Sequence, residues 1–579
     1  MSAESIRERS GAPPGRVAAL EPQPGESPAR RQRILRALAV ALLAIGVAFW
    51  AFGSGIVALW LFMAAAVAVA WLLPLPIALV SPLFMGVVGW LVDMLPLVVL
   101  AGWSAVIARW IAGLVRARRM PRGGRWIWLP IGLSAWTILG VVAVSPTDLK
   151  RFALLFGIQV LASGTMLAVV DCLSAGDRRR VTTALLAFIA LLSIAVSLEW
   201  LGLPVQELKD ATVSDRVEAA YGVDAFTNSL EMIKYVRSSK AGAPDLRAEL
   251  TAARKRNPDL PSFEVFKPKF QAWSTSLMVR FAGSARPFES DLQSSRIELL
   301  YDNVGLAPAN TVPRMRSFPR NSLTYAGICV ALFPLGLYFT WSQAGWRRKL
   351  GVVAVVSCLF GAAFSLARGA WLAAFIGVVY LAIDGSVSGR RKLQAFGAFA
   401  AAALVIVAVF TIKYGVDPLS ARGEAEGSVN TREAVYEDTI QGVRSGGLNL
   451  VIGFGIETAR GAGGSSHVLG RYIPSAGTHS TYLNYLFRAG IVGALLVIAI
   501  YVLAGLHARA AARRGAAEDR VLATALAAAV VIVAAHGMIL SLYVEPVYTL
   551  VVSLLLGLAM TVGIDNRVPV ISRRRSASG

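Results

Sequence analysis

The sequence predicts an all-α polytopic integral membrane protein of about 12–14 transmembrane helices with two long polar loops on one side. Three observations carry that expectation. Apolar runs recur along the chain at about 20 residues each, the length a helix needs to cross the hydrocarbon. The 579 residues are 56% hydrophobic and only 16% charged, whereas a soluble chain of this size would split into several domains with far more surface charge. Short basic clusters stand at alternate breaks between the apolar runs, the pattern that sets orientation in a bilayer.

Taken in order, residues 1–35 are rich in Pro, Gly, Glu and Arg and read as a disordered cytoplasmic tail. No convincing cleavage site follows the apolar run after Arg36, so that run is expected to be retained as a span. Hydropathy places spans at 36–53, 56–73, 76–92, 95–115, 126–144, 152–171 and 181–203, an N-terminal transmembrane bundle over 36–203. Central spans follow at 321–341, 350–365, 369–384 and 393–412, and C-terminal spans at 480–506, 520–541 and 546–563. Short interfacial or re-entrant helices within 36–115 would bring the count toward the lower figure. Two long polar segments separate the groups, at 204–320 and 413–479, and a basic tail occupies 564–579. The first segment alternates helical stretches, Asp210–Tyr221 and Leu246–Arg256, with breaks at Asn257-Pro258 and Leu260-Pro261. Loops this long in a compact membrane protein are usually functional or disordered, and mixed charge with aromatics favours ordered caps.

Orientation follows from the basic loops. Arg116, Arg118, Arg119, Arg122 and Arg125 fill one, and Arg178, Arg179 and Arg180 the next on that side. Arg347, Arg348 and Lys349, then Arg390, Arg391 and Lys392, then Arg509, Arg513 and Arg514, and finally Arg573 to Arg575 share it. That side is expected to be cytoplasmic, with both termini, and both long loops face the other way. The chain carries 57 Lys+Arg against 35 Asp+Glu, a net charge of +22. In a soluble protein this excess suggests nucleic acid; here most of it lies in short loops, so nucleic acid is excluded. Cys172, Cys329 and Cys358 lie in or beside apolar spans, which implies no disulfide framework. No CxxC or HExxH motif occurs, and no metal site is expected.

The most informative stretch is Gly477-Thr478-His479-Ser480-Thr481-Tyr482, continuing to Gly490-Ile491-Val492-Gly493, where a polar loop becomes an apolar span. At about 100° per residue, Leu483, Leu486, Gly490 and Gly493 fall within roughly 40° of the His479 direction on a continuous helix. Small residues on one face admit a neighbouring helix closely. A capped helix with an incidental histidine is the plain alternative. Arg368, in Ser365-Leu366-Ala367-Arg368-Gly369, occupies a tight outward turn where basic residues are depleted. It reads as an anion clamp or as an arginine snorkelling to the interface. Lys150 and Arg151 make a weaker exception at a wetter loop edge. Arg432 opens a helical stretch upstream of Ile452-Gly453-Phe454-Gly455, and a local ion pair with Glu433 or Glu437 is its plain alternative. Arg488 lies inside its span on the side away from His479 and reads as structural glue, paired with an acidic group or a helix end. His467 reads as solvated, His507 as a residue at the cytoplasmic end of its span, and His536 as an intramembrane hydrogen-bond donor to a neighbouring helix.

The pattern His-Ser, nine residues, then Gly-x-x-Gly resembles the signature of bacterial O-antigen ligases, and more loosely the wider superfamily of O-antigen polymerases and O-oligosaccharyltransferases. Phe318-Pro319-Arg320-Asn321, Ser365 to Trp371, Arg432 followed by Gly453-Phe454-Gly455, and His479-Ser480 stand in that family's order. The resemblance covers about residues 318–500; the first long loop is longer than expected for the family. It implies a GT-C-like glycosyltransferase architecture in the bacterial inner membrane with its active site facing the periplasm. It implies a donor, undecaprenyl-diphosphate-linked O-antigen, and an acceptor, a sugar hydroxyl of lipid A–core, with membrane lipid as the surroundings and neither cofactor nor metal. His479 would be catalytic, Arg368 and Arg432 would bind the diphosphate, and Arg320, Ser480, Tyr482 and Arg488 would support them. Transfer in one displacement would invert the anomeric carbon. O-antigen polymerase and protein O-oligosaccharyltransferase differ mainly in acceptor. A secondary transporter, from another class, would show repeats or broken helices with ionisable groups near the midplane; the candidate residues here cluster at one face.

Overall fold

The computed structural model describes residues 28–200, 322–414 and 436–562, with internal gaps at 52–54, 91–94, 456–466, 473–479 and 540–544 and others of one or two residues. The first long loop with its two expected helical stretches, and both terminal tails up to residue 27 and from 563, lie outside the described residues. So do Arg320, Arg432 and His479.

The molecule is an all-α membrane bundle. Its first helices are α1 (Pro28–Ala51), α2 (Gly55–Leu72), α3 (Leu75–Ala78), α4 (Ser81–Trp90) and α5 (Leu95–Arg116). Next come α6 (Trp128–Thr137), α7 (Leu149–Cys172) and α8 (Ala175–Trp200). The central group is α9 (Ser322–Ser342), α10 (Gly345–Phe364), α11 (Arg368–Ile383) and α12 (Gly389–Tyr414). After a helical turn at 439–444 come α13 (Asn449–Ile452), α14 (Thr481–Arg514), α15 (Ala517–His536) and α16 (Pro546–Val562). Among the described residues seven helices are long and apolar enough to cross a membrane, and six shorter apolar segments accompany them. Every expected span meets a helix, with three differences of form. The helix expected from 36 begins at Pro28. The span expected at 76–92 is broken into α3 and α4, where Ser81 Oγ donates to the Ala78 carbonyl at 2.9 Å and prolines at 74, 76 and 82 deny a continuous amide ladder. The span expected at 126–144 is α-helical only over α6, with 3₁₀ turns at Arg125–Ile127 and Ile138–Ala143 on either side of it. The second long loop contributes a two-stranded antiparallel hairpin, β1 (His467–Val468) and β2 (Arg471–Tyr472), pairing His467 with Tyr472.

Helices α9 and α16 form the centre. Both are apolar all round, as a helix must be when every face meets another helix, and every residue of α16 is buried. Around α9 pack α10, α11, α15 and α8; α16 packs against α7 and α14. Helix α12 lies at the edge, with Leu393, Leu404 and Ile412 more than two-thirds exposed, as expected of a surface solvated by lipid tails.

Polar locks sit at the basic end. Helix α5 stops at Arg116, and Arg118 reverses the chain in a left-handed conformation, φ 47°. Arg119 then makes a two-pronged pair with the buried Asp171 of α7 at 2.6 and 2.9 Å, and Trp110 Nε1 and the Arg122 amide donate to the same carboxylate at 3.0 and 2.9 Å. The hydrogen bond to Asp171 raises the Arg119 pKa above its ordinary value. Arg178, 1% exposed, donates to the Thr561 carbonyl of α16 at 3.3 Å and lies 3.9 Å from Asp519 of α15. These contacts tie α5, α7, α8, α15 and α16 together at one end, opposite the end where α11 and α14 begin.

Candidate active site

The site is built on the first turns of α14. Ser480 is its N-cap: the side chain accepts from the Leu483 amide at 3.4 Å, and its carbonyl accepts from Asn484 at 2.9 Å. A serine cap fits a helix that starts at a loop boundary, because one orphan amide gains a partner. The residue before this cap in the sequence is His479.

Ten residues after Ser480, the helix breaks. Gly490 has φ 64° and ψ −171°, so α14 is two helices joined by a kink. The sequence reading of Gly490 as a small residue on a continuous face is corrected here. Its role is the break itself, which ends the shared direction of Leu483, Leu486, Gly490 and Gly493. A positive φ is cheap for glycine and costs about 1–2 kcal/mol for other residues. The break frees three carbonyls from the ladder, and other segments claim each one. The Phe454 and Gly455 amides donate to Phe487 and Arg488 at 2.8 and 2.9 Å, and Trp136 Nε1 donates to Ala489 at 3.0 Å. Backbone therefore meets backbone, which a side chain at Gly453 or Gly490 would prevent. A β-carbon on Gly453 would collide with the Arg488 carbonyl, and one on Gly490 with the Val451 carbonyl. Gly140 completes the crossing, since its β-carbon would stand 2.8 Å from Gly455 Cα. Phe454 stacks on Phe487 with centroids 4.6 Å apart, over Phe152 and Val443. The motif Gly453-Phe454-Gly455 is thus a brace that holds the first half of α14.

The same substitution at two glycines gives opposite expected signs. Gly490→Ala adds left-handed strain and a backbone collision, so the unfolding midpoint in detergent should fall, by more than the ~1–2 kcal/mol of strain alone. Gly397→Ala, on α12 with open space around it, should leave the midpoint unchanged or raise it, by up to ~1 kcal/mol. Equal midpoints for the two variants would show that the break at Gly490 braces nothing.

Arg488 is fully buried two residues before the break, its guanidinium carbon 5.9 Å from the Tyr485 ring centre. Tyr485 in turn donates to Gln159 of α7. Tyr482 is half-buried, and its hydroxyl donates to the Ala534 carbonyl of α15 at 2.8 Å. Arg368 is exposed and is the first residue of α11. Behind it, Ser365 Oγ and Trp371 Nε1 both donate to the Ala362 carbonyl, at 2.7 and 3.1 Å, closing the turn from α10. The α11 N-cap is Ala367, which provides no side-chain cap. An arginine at an uncapped helix N-terminus adds positive charge where the macrodipole is already positive, and that combination attracts anions.

These segments meet at one turn, residues 537–539 after α15. The Thr481 amide donates to the Gly537 carbonyl at 2.7 Å, and Tyr436 Oη donates to the Met538 carbonyl at 3.3 Å. Gly369, next to Arg368, lies against Ile539: a β-carbon there would collide with the Ile539 side chain. The structure thus brings together the segments that carry Arg368, Ser480 and Tyr482, with Tyr436, which stands four residues after Arg432 in the sequence. Sequence reasoning did not single out Tyr436 or Trp136. Trp136 carries no sequence mark, because its partner is a carbonyl freed only by the kink.

Against known proteins, residues 352–498 match the family described as O-antigen ligase, about a quarter of the 579-residue chain. No curated protein and no solved structure matches. The matched segment contains the Arg368 turn, the glycine brace and the first half of α14 with its break. The chain is a multi-pass membrane protein whose residues 352–498 match the O-antigen ligase family, a match that supports a ligase- or polymerase-type, glycosyltransferase-like function.

Proposed function

We propose that the protein transfers a glycan from undecaprenyl diphosphate to a sugar hydroxyl of lipid A–core at the periplasmic face of the inner membrane. The observation that carries this reading is the convergence on the 537–539 turn of the segments bearing Arg368, Ser480 and Tyr436. That convergence lies opposite the basic helix ends, such as Arg513 and Arg514 at the end of α14, which are expected to be cytoplasmic.

The chemistry asks little of the protein beyond charge and position. The acceptor oxygen forms a bond to the anomeric carbon as the bond from that carbon to the diphosphate oxygen breaks. The electron pair leaves with the diphosphate, and the acceptor proton passes to His479. Arg368 and Arg432 stabilise the charge that gathers on the leaving group. Attack opposite the leaving group inverts the anomeric centre. Ser480 fixes the start of α14, and the glycine brace fixes its direction.

The acceptor separates this reading from its neighbours. Purified protein in detergent, given a lipid-diphosphate glycan, should glycosylate lipid A–core and leave free repeat units unjoined. Chain extension of the repeat unit without transfer to lipid A–core would make the protein a polymerase. No transfer to any acceptor would remove the enzyme reading.

A further inference from the structure

We propose that His536 is a positioning residue for this transfer, acting through the 537–539 turn; the proposal rests on the functional reading above. The end of helix α15 and the turn after it present five consecutive carbonyls, from Ala534 to Met538, and each has a partner. The turn satisfies two of them: the Met538 amide donates to Ala535 at 3.1 Å and the Ile539 amide to His536 at 3.0 Å. The other three accept from outside the helix, from Tyr482 Oη, the Thr481 amide and Tyr436 Oη at 2.8, 2.7 and 3.3 Å. Orphan carbonyls at a helix end need partners. Here they take them from the segments that assemble the site, so a shift of the turn moves those segments together.

His536 anchors the turn from beneath. Its ring is fully buried, and Nδ1 lies 2.9 Å from Tyr548 Oη of α16, itself fully buried. This agrees with the sequence expectation of a hydrogen bond to a neighbouring helix. On another side α9 presses close: a β-carbon on Gly327 would stand 2.7 Å from His536 Cε1 and 2.7 Å from Tyr548 Cε2. The imidazole is therefore clamped between a hydroxyl on α16 and bare backbone on α9. Two apolar side chains would fill this space without the cost of burying polar atoms. What the polar pair adds is direction, since a hydrogen bond sets both the distance and the angle of the ring that begins the turn. The effect of His536 passes through the turn that its ring begins.

The test uses the full chain with His536→Leu, His536→Asn and Tyr548→Phe, and two readouts. One is the single-turnover rate and the donor KM with a lipid-diphosphate glycan and lipid A–core. The other is the distance between spin labels at Glu437 and Met538, both exposed. His536→Leu and Tyr548→Phe should each lower the single-turnover rate roughly tenfold or more, with a smaller change in KM, because misplacement of reacting groups acts on the rate. The double variant should be no slower than the slower single, since both lose one shared bond. His536→Asn, whose amide reaches the place of Nδ1, should stay within about threefold of wild type. The label distance should broaden in His536→Leu and recover in His536→Asn. Tyr548→Phe removes a single oxygen and carries the test if His536→Leu fails to fold. A wild-type rate and a wild-type distance distribution in Tyr548→Phe and His536→Leu would overturn the proposal. If the wild-type protein transfers no glycan, the functional reading fails, and the label distance still decides whether His536 holds the turn.

Discussion

His479→Ala is expected to slow glycan transfer by about 10²–10⁴, the range a general base contributes. In the proposed transfer the acceptor is a neutral hydroxyl, which must lose a proton as it attacks. Imidazole is the side chain whose unperturbed pKa lies nearest neutral pH, so it can take that proton without special conditions. Its neighbour Ser480 is buried and caps α14, and Thr481 is bonded to the Gly537 carbonyl at 2.7 Å. The chain that follows the histidine is thus pinned at two consecutive residues. The loss should appear in kcat with the donor KM little changed, because a base acts in the transition state and adds little to ground-state binding. A large rise in KM with kcat intact would make His479 a sugar-binding residue.

Arg368→Ala and Arg432→Ala should each abolish most transfer at limiting donor while the protein still inserts and folds. A bidentate charge-assisted contact matches the shape of a phosphate group, and lysine provides only a point charge. Arg368→Lys should therefore recover part of the activity and Arg368→Gln almost none. The position argues for an anion on its own terms. Arg368 is exposed, at the first residue of a helix whose cap offers no side-chain acceptor, so the fold places a cation where helix electrostatics disfavour one. Near-normal transfer by both alanine variants at limiting donor would leave the diphosphate without an identified clamp.

The spans were legible in the sequence because hydropathy is a property of each segment alone. Helices α7, α8, α9 and α11 fall where apolar runs put them, and the buried α16 reads as a short run without a polar face. The arginine turn was legible too, since Arg368 breaks the distribution of basic residues. What remained hidden depends on tertiary contact. Gly490 and Gly493 have the spacing of a close-packed helix face, and nothing in that spacing distinguishes a glycine at a contact from one at φ 64°. The kink is stable because Phe454, Gly455 and Trp136 satisfy the carbonyls it frees, and those donors lie far away in sequence. The meeting point at 537–539 was hidden for the same reason. Its residues, Gly537, Met538 and Ile539, are chemically plain, and their importance lies in which carbonyls other segments find. Arg488, which reads in the sequence as glue paired with an acidic group or a helix end, is buried with its guanidinium carbon 5.9 Å from the Tyr485 ring centre. Arg320, Arg432 and His479 rest on motif order, with described neighbours at Ser480 and Tyr436.

Base catalysis by His479 is tested most directly by the single-turnover rate of His479→Gln at saturating donor and acceptor. Glutamine can hydrogen-bond a sugar hydroxyl, yet it cannot take a proton at neutral pH. With His479 as the base, this variant should fall as far as His479→Ala, by about 10²–10⁴. A rate within about threefold of wild type would contradict it and reduce His479 to a residue that positions the acceptor.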